Sequence, residues 1–236
     1  MSIKAVMFDL DGTLLPMDQE IFLNAYMGKL AAHMAPYGYE PETLVKSIWA
    51  STMAVIKADG SLSNEDKFWQ TITSICGEQV KRDMPIFEEF YQDKFQEISN
   101  VCGNDPEANQ VVKFLRDKGI TLILATNPVF PAVATNSRIK WAGLDREDFS
   151  LVTTYENSHF CKPNIKYYVE ILDKMGLDPR ECLMVGNDVA EDMIAATLGM
   201  EVFLVTDCLI NSKGLDTTNY PQGSLKDLLK YLADKI

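Results

Sequence analysis

Five short apolar runs, separated by amphipathic segments, constrain the fold more than any other feature of the sequence. They are IKAVMF at 3–8, ITLILA at 120–125, SLVTT at 150–154, ECLMV at 181–185 and EVFLV at 201–205. Each run after the first follows a helix-like stretch that ends in glycine or turn residues. Apolar strands that alternate with helices indicate a parallel sheet covered by helices on both faces. The sequence therefore predicts an α/β fold.

Residues that favour helix ends frame the segments between these runs. Asp105-Pro106 supplies an N-cap and a first-turn proline before EANQVVKFLRDK, and Gly119 closes that helix. Further helices are predicted over 131–142, 164–175 and 190–198, each followed by a glycine, and Ser224 is expected to cap a final helix.

Residues 16–104 have a different pattern, with apolar positions at helical spacing and no convincing strand. We expect about four helices there, over 21–34, over 44–56, after the capping pair Ser63 and Asp66, and over 86–98.

The contrast between these two patterns, alternating strands and helices against helices alone, predicts two domains. Residues 1–15 and 105–236 would form the α/β core, and 16–104 a helical cap inserted after the first strand. The crossings near Pro16 and Gly103–Asn104 are the expected hinges.

Composition limits the partners. The chain has 22 Lys and Arg against 34 Asp and Glu, a net charge of −12, and its basic residues are scattered. This charge opposes binding to nucleic acid or to an anionic membrane. Five cysteines without a CxxC pair, and no apolar run of signal or membrane-span length, predict a cytoplasmic protein with reduced thiols. The oligomeric state stays open.

Polar side chains follow three of the predicted strands, and a lysine precedes a predicted helix. In open parallel sheets the functional residues lie just beyond the carboxyl ends of the strands, so we expect these side chains to meet at one edge. The residues are Asp9, Asp11, Thr13, Thr126, Asn127, Lys162, Asn187, Asp188 and Asp192.

Four motifs occur here in an order that resembles the haloacid dehalogenase-like (HAD) hydrolase superfamily. They are DLDGT at 9–13, a threonine after an apolar strand at 126, KPN at 162–164 and GNDVAED at 186–192. The resemblance covers the whole core, and the insertion lies where that superfamily places its helical cap. It implies a Rossmann-like parallel sheet core with an inserted α-helical cap domain.

The acid pair has a chemical rationale within this resemblance. Asp9 suits a nucleophile that forms an aspartyl-phosphate, and Asp11 suits the acid that protonates the leaving oxygen and then the base that activates water. A divalent cation is needed between the anions. Oxygen ligands from Asp9, the Asp11 backbone and Asp188 favour Mg²⁺.

The other motif residues take supporting roles in this interpretation. Thr126, Asn127 and Lys162 would bind the phosphoryl oxygens, and Lys162 adds a fixed positive charge. Position 187 is Asn where the superfamily often has Asp, so either Asn187 or Asp188 is the direct metal ligand, and Asp192 assists.

The predicted function is a Mg²⁺-dependent phosphatase that acts on a small phosphorylated metabolite. Dehalogenases of the superfamily carry no acid at the position of Asp11, because a halide leaves without a proton. A sugar-phosphate mutase of the same fold and a non-catalytic phospho-acceptor or binding protein remain alternatives. The sequence identifies neither the substrate nor the cap residues that contact it.

Overall fold

Six parallel strands form one sheet in the order β3-β2-β1-β4-β5-β6. The computed structural model describes residues 3–236. The strands are β1 (Ala5–Phe8), β2 (Thr121–Leu124), β3 (Leu151–Val152), β4 (Cys182–Gly186), β5 (Glu201–Val205) and β6 (Gln222–Gly223). Each of the five apolar runs contains a strand, and the predicted α/β class with a Rossmann-like sheet is confirmed.

Helices connect the strands and account for most of the remaining chain. The α-helices are α1 (Gln19–Met34), α2 (Pro41–Ile56), α3 (Asn64–Cys76), α4 (Gln79–Arg82), α5 (Met84–Gln92), α6 (Pro106–Asp117), α7 (Ala132–Trp141), α8 (Ile165–Met175) and α9 (Leu225–Lys235). Short 3₁₀ helices occupy Ala35–Tyr37, Lys94–Val101, Arg146–Asp148, Pro179–Glu181 and Met193–Leu198. Within residues 3–236, no helix combines the length and the apolar character that a membrane span requires.

Alternate residues of each central strand enter opposite layers of the core. In β1, Val6 and Phe8 belong to the layer packed by α6 and α9, whereas Ala5 and Met7 belong to the layer packed by α8. The first layer also includes buried side chains of the 16–104 helices, among them Phe22. Burial on both faces explains why the strand sequences are almost continuously apolar.

The register brings the ends of the three central strands to one level. Phe8, the last residue of β1, pairs with Leu124 of β2 and with Val185 of β4. From β1 the chain continues to β2 and β3 on one side, and it then crosses over to β4 on the other side of β1. This creates a crevice beyond their carboxyl ends, where open α/β sheets bind ligands.

Three local expectations differ from the structure. The segment predicted as a helix over 190–198 forms a 3₁₀ helix only from Met193, because the side chain of Asp188 holds the preceding residues in a turn. The stripe over 86–98 is divided between α5 and a 3₁₀ helix, since Asp93 leaves helical backbone angles (φ −115°, ψ −81°). Strand β6 was missed because two residues, one of them Gly223, carry no apolar pattern.

The segment 16–104 contains helices and no strand of the described sheet, and its two ends lie side by side. The Gly103 N–H donates to the carbonyl of Pro16 at 2.7 Å, and Met17 pairs with Cys102 as an antiparallel bridge. We retain the division into a core (1–15 and 105–236) and a cap (16–104) as our proposed domain assignment, with these paired crossings as its connection.

Gly186, the last residue of β4, touches the carboxylate of Asp192, so a Cβ added there would overlap that side chain. We predict that Gly186→Ala lowers the free energy of unfolding by about 1–3 kcal/mol, the usual cost of overpacking. Gly28→Ala is the matched control, because Gly28 lies exposed inside α1 with nothing within 4 Å of the added Cβ. There the same change should stabilise by about 0.5–1 kcal/mol. Urea unfolding checks both, and shifts of the same sign would contradict this packing.

Candidate active site

A buried lysine joins two carboxylates at the crevice. The ammonium of Lys162 donates to Asp9 Oδ1 at 2.8 Å and to Asp192 Oδ1 at 2.7 Å. Lys162 and Asp192 are each 1 % exposed, and Asp9 is 8 % exposed. Asp9 and Asp192, which lie 153 and 30 positions from Lys162 in the sequence, are therefore brought together by the N–H donors of this one side chain.

Each member of this triad is positioned by a different element. Asp9 directly follows β1, and its N–H donates to the carbonyl of Val185 in β4 at 2.9 Å. Lys162 stands just before α8, whose N-cap Asn164 accepts from the N–H of Lys166. Asp192 ends the loop after β4, and its second oxygen, Oδ2, accepts from the N–H of Asp188 at 2.9 Å.

The triad keeps its lysine charged. Burial lowers the pKa of Lys162, but the Asp192 and Asp9 carboxylates outweigh burial and raise it well above the usual value. Burial raises the pKa of Asp192 to about 7, with Lys162 opposing the rise. Both oxygens of Asp192 accept hydrogen bonds from protein groups. One bond holds Lys162 and the other holds the loop after β4.

Asp11 forms a second buried ion pair, with Arg138 of α7. Arg138 is fully buried, its guanidinium carbon lies 4.5 Å from the centre of the Phe130 ring, and one amino group donates to Thr135 Oγ1 at 3.3 Å. Burial raises the pKa of Asp11, and Arg138 opposes that rise. The other Asp11 oxygen, Oδ1, is buried without a hydrogen-bond partner in the described chain.

The role of Arg138 was missed at the level of sequence. The sequence signal is an arginine four residues after Ala134, a buried position of α7, and four residues before Ala142, the buried C-cap of that helix. A charge at an apolar position of a helix indicates either a surface face or a buried partner. The structure identifies that partner as Asp11.

Thr13 and Asn187 connect the loops after β1 and β4. The Thr13 hydroxyl lies 3.0 Å from Asn187 Oδ1 and 3.3 Å from Asp9 Oδ2, both acceptors. The Asn187 amide nitrogen donates to the carbonyl of Cys208 at 2.7 Å. Gly12 permits this approach, since it has a φ of +85° and a Cβ there would overlap the Asn187 amide. Both polar atoms of Asn187 are thus engaged within the protein.

Asp188 has one carboxylate oxygen bonded and one open. Its Oδ1 accepts from the N–H groups of Ala190 and Glu191 at 2.8 and 2.9 Å, and within residues 3–236 no hydrogen bond reaches Oδ2. Glu191, a second residue to which the sequence analysis gave no role, accepts from the Asn127 amide at 3.1 Å. Burial raises the pKa of Glu191. Its only sequence signal is its position inside GNDVAED.

Thr126 and Asn127 follow β2, which ends at Leu124, with Ala125 between. The Thr126 carbonyl accepts from the hydroxyls of Thr153 and Tyr167 at 2.6 and 2.9 Å, whereas no hydrogen bond within the described chain uses its own hydroxyl. Asn127 Oδ1 is buried without a partner in residues 3–236. These bonds fix the backbone at Thr126, while the Thr126 hydroxyl and Asn127 Oδ1 stay available to a ligand.

These residues surround one end of a cavity of about 340 Å³, close to the small end of the range for small-molecule sites. The polar side chains that line this end are Asp9, Asp11, Thr126, Asn127, Asn187, Asp188, Glu191 and Asp192. Lys162 is held behind them by Asp9 and Asp192. The sequence-predicted site residues are therefore gathered at a single place.

The donors present suit Mg²⁺ by type. No group of three or more His, Cys, Asp or Glu side chains in residues 3–236 forms a ready-made metal cage. Mg²⁺ is commonly held by one or two carboxylates together with waters and substrate phosphate, so a full cage is not required. Asp9, the open oxygen of Asp188 and the Asp11 backbone carbonyl provide hard oxygen donors of this kind.

Comparison with known proteins adds independent support. A family model described as haloacid dehalogenase-like hydrolase matches residues 3–198. The phosphoglycolate phosphatase of Aliivibrio fischeri is 28 % identical over 205 residues, which cover 86 % of this chain and 84 % of that protein. The glyceraldehyde 3-phosphate phosphatase of Methanothermobacter thermautotrophicus is 38 % identical over 78 residues, only 30 % of this chain and 34 % of that protein.

A solved structure shares the fold at low identity. The 2-haloacid dehalogenase of Pseudomonas syringae pv. Tomato aligns with a TM-score of 0.64 and 21 % identity, over 98 % of this chain and 99 % of that one. Because the family model spans most of the chain and the motifs meet in the crevice, the resemblance is confirmed: the protein belongs to the haloacid dehalogenase-like hydrolase family.

Proposed function

We propose that the protein is a Mg²⁺-dependent phosphatase that hydrolyses a small phosphorylated metabolite through an aspartyl-phosphate on Asp9. The observation that carries the proposal is the pair of acids at the cavity: Asp9 held by Lys162, and Asp11 two residues further on. Two relatives that match this chain are named as phosphatases of small phosphorylated compounds, which agrees with this class of substrate.

The two carboxylate oxygens of Asp9 differ in their hydrogen bonds. Oδ1 accepts from the Lys162 ammonium at 2.8 Å, whereas Oδ2 has only the longer, uncharged contact with the Thr13 hydroxyl at 3.3 Å, so Oδ2 acts as the nucleophile in this proposal. A bond forms between Oδ2 and phosphorus while the ester P–O bond breaks, and the electron pair goes to the leaving oxygen. Lys162 offsets the charge that develops beside the nucleophile.

Asp11 moves the proton in both halves of the reaction. Its Oδ2 is fixed by Arg138, so the unpartnered Oδ1 is the oxygen that carries the proton to the leaving group. The raised pKa of Asp11, due to burial, favours this protonated form. The resulting carboxylate then accepts a proton from the water that attacks phosphorus. The bond between phosphorus and Asp9 Oδ2 breaks, its electron pair returns to the Asp9 carboxylate, and inorganic phosphate leaves.

Thr126 and Asn127 would bind the phosphoryl oxygens through the Thr126 hydroxyl, which has no protein partner in the described chain, and through nearby backbone N–H groups. Asp9, Asp188 and the Asp11 backbone carbonyl would hold Mg²⁺. The ion supplies charge neutralisation between the phosphoryl group and the carboxylates. Asp192 and Asn187 position these residues, because their polar atoms are engaged by the protein.

The site residues alone do not separate a phosphatase from a mutase or a phospho-acceptor. Asp11 favours the phosphate ester over a halide, because only the ester needs a proton on its leaving group. A product assay separates the rest: rapid release of inorganic phosphate identifies a phosphatase, isomer formation a mutase, and a persistent phosphoprotein a phospho-acceptor.

Asp9→Asn should lower phosphate release by about a thousand-fold or more, because the amide is a poor nucleophile and forms no acyl-phosphate. The matched control is Asp173→Asn, an exposed position on α8 without a side-chain hydrogen bond in the described chain. Activity is measured as inorganic phosphate released from a panel of phosphorylated metabolites, with circular dichroism to show that both variants fold. Undiminished turnover in folded Asp9→Asn would refute the aspartyl-phosphate mechanism.

Asp188→Asn should raise the Mg²⁺ concentration required for half-maximal activity by at least about tenfold. The amide retains an oxygen to accept from Ala190 and Glu191, so the loop is preserved while the ligand charge is lost. A Mg²⁺ titration after chelation measures the change. If Asn187→Ser gives the larger shift and Asp188→Asn none, Asn187 and not Asp188 is the direct ligand.

A further inference from the structure

The cavity has two ends of opposite character. The acids and Thr126 lie at the end formed by the sheet edge, whereas the other end is enclosed mainly by apolar and aromatic side chains. Those side chains include Phe22, Tyr26, Ile48, Trp49, Trp69 and Phe130. A phosphoryl group seated against Asp9 therefore directs the rest of its molecule toward this apolar end.

No Lys, Arg or His side chain of the described residues lines the cavity. The two cations nearest the acids are already used: Lys162 pairs with Asp9 and Asp192, and Arg138 pairs with Asp11. Five carboxylates line the cavity, so its lining has more acidic than basic side chains. A second anionic group on the substrate would be buried without a counter-charge, which is strongly unfavourable.

Two pairs of polar groups at the apolar end are bonded to each other, whereas the side chains of Gln19, Trp49 and Thr52 form no hydrogen bond within the described residues. The hydroxyls of Tyr26 and Tyr91 are 2.8 Å apart, and the indole N–H of Trp69 donates to the hydroxyl of Tyr155 at 3.4 Å. Burial raises the pKa of Tyr26 to about 12, so this hydroxyl stays neutral. All of these groups are neutral, so none of them supplies a counter-charge for an anion.

We infer that the substrate is a phosphate monoester of an uncharged apolar or aromatic alcohol, with the alcohol bound among the aromatic side chains of the cavity. This inference rests on the proposed phosphatase function and narrows its substrate class. Small molecules with a second anionic group, such as the carboxylate of the phosphoglycolate in one relative's name, are disfavoured by the lack of a free cation at the described cavity wall.

A matched pair of esters tests the inference. Phenethyl phosphate and its para-carboxylate have nearly the same leaving alcohol and differ in one remote charge. With Mg²⁺ present, kcat/KM for phenethyl phosphate should exceed that for the para-carboxylate by at least about 100-fold, because the added carboxylate is desolvated without a partner. Equal or reversed values, with phosphate release that still depends on Asp9, would overturn the substrate class and leave the phosphatase function standing.

A charge variant provides the second arm. Ile56 lines the cavity at the end of α2, so Ile56→Lys would place a positive charge there. The ratio of kcat/KM for phenethyl phosphate to kcat/KM for the para-carboxylate should then fall by at least about tenfold, because the lysine supplies the missing counter-charge. Met53→Lys is the control, because Met53 lies on the same helix, is 40 % exposed and does not line the cavity. The same narrowing in both variants would contradict a specific cavity effect.

Direct binding separates failure of the inference from failure of the function. Trp49 and Trp69 line the cavity, so their fluorescence reports binding of each ester without turnover. If no ester, p-nitrophenyl phosphate included, gives Asp9-dependent phosphate release, the phosphatase function is refuted. In that case, weaker binding of the para-carboxylate still supports an apolar binding cavity, and equal binding overturns it.

Discussion

The buried contact of Lys162 with Asp9 and Asp192 is the interaction on which the site depends. It joins the end of β1, the segment before α8 and the loop after β4, none of which are neighbours in sequence. Burying three charged groups is costly unless each is paired, and removal of one partner from such a cluster costs about 3–5 kcal/mol. The contact therefore specifies one arrangement of these three segments, and with it the position of the Asp9 carboxylate.

The second ion pair extends this principle to the other acid. Arg138 reaches from α7 to Asp11 through the core, and its partner oxygen is fixed while the other oxygen stays free. The two buried cations, Lys162 and Arg138, thus lie behind the cavity wall, where they form ion pairs with Asp9 and Asp11, the two acids of the proposed reaction. These two cations are already paired, and no Lys, Arg or His side chain of residues 3–236 lines the cavity. The proposed placement of the catalytic groups and the inferred selectivity for the substrate both follow from this one distribution of charge.

Much of the fold could be predicted from local patterns. The strands are buried on both faces, so their apolar runs were visible, and Gly119, Gly143 and Gly176 ended helices where the sequence indicated. The misses have local causes as well. Asp188 uses its side chain to keep a turn where a helix was expected, and β6 pairs through two residues that bury almost nothing. Patterns of burial do not register either event.

By itself the sequence determined the alternation of strands and helices, the family, and which acids, threonine and lysine are candidates for the site, because those residues sit in short motifs at strand ends or before a helix. Only the tertiary structure decided that Arg138 pairs with Asp11, that Glu191 accepts from Asn127, and that both oxygens of Asp192 are used. It also decided that apolar and aromatic side chains enclose the end of the cavity away from the acids. These contacts join residues tens of positions or more apart, or depend on side-chain direction. No periodicity or short motif in one chain encodes such distances, whereas the packed core fixes them.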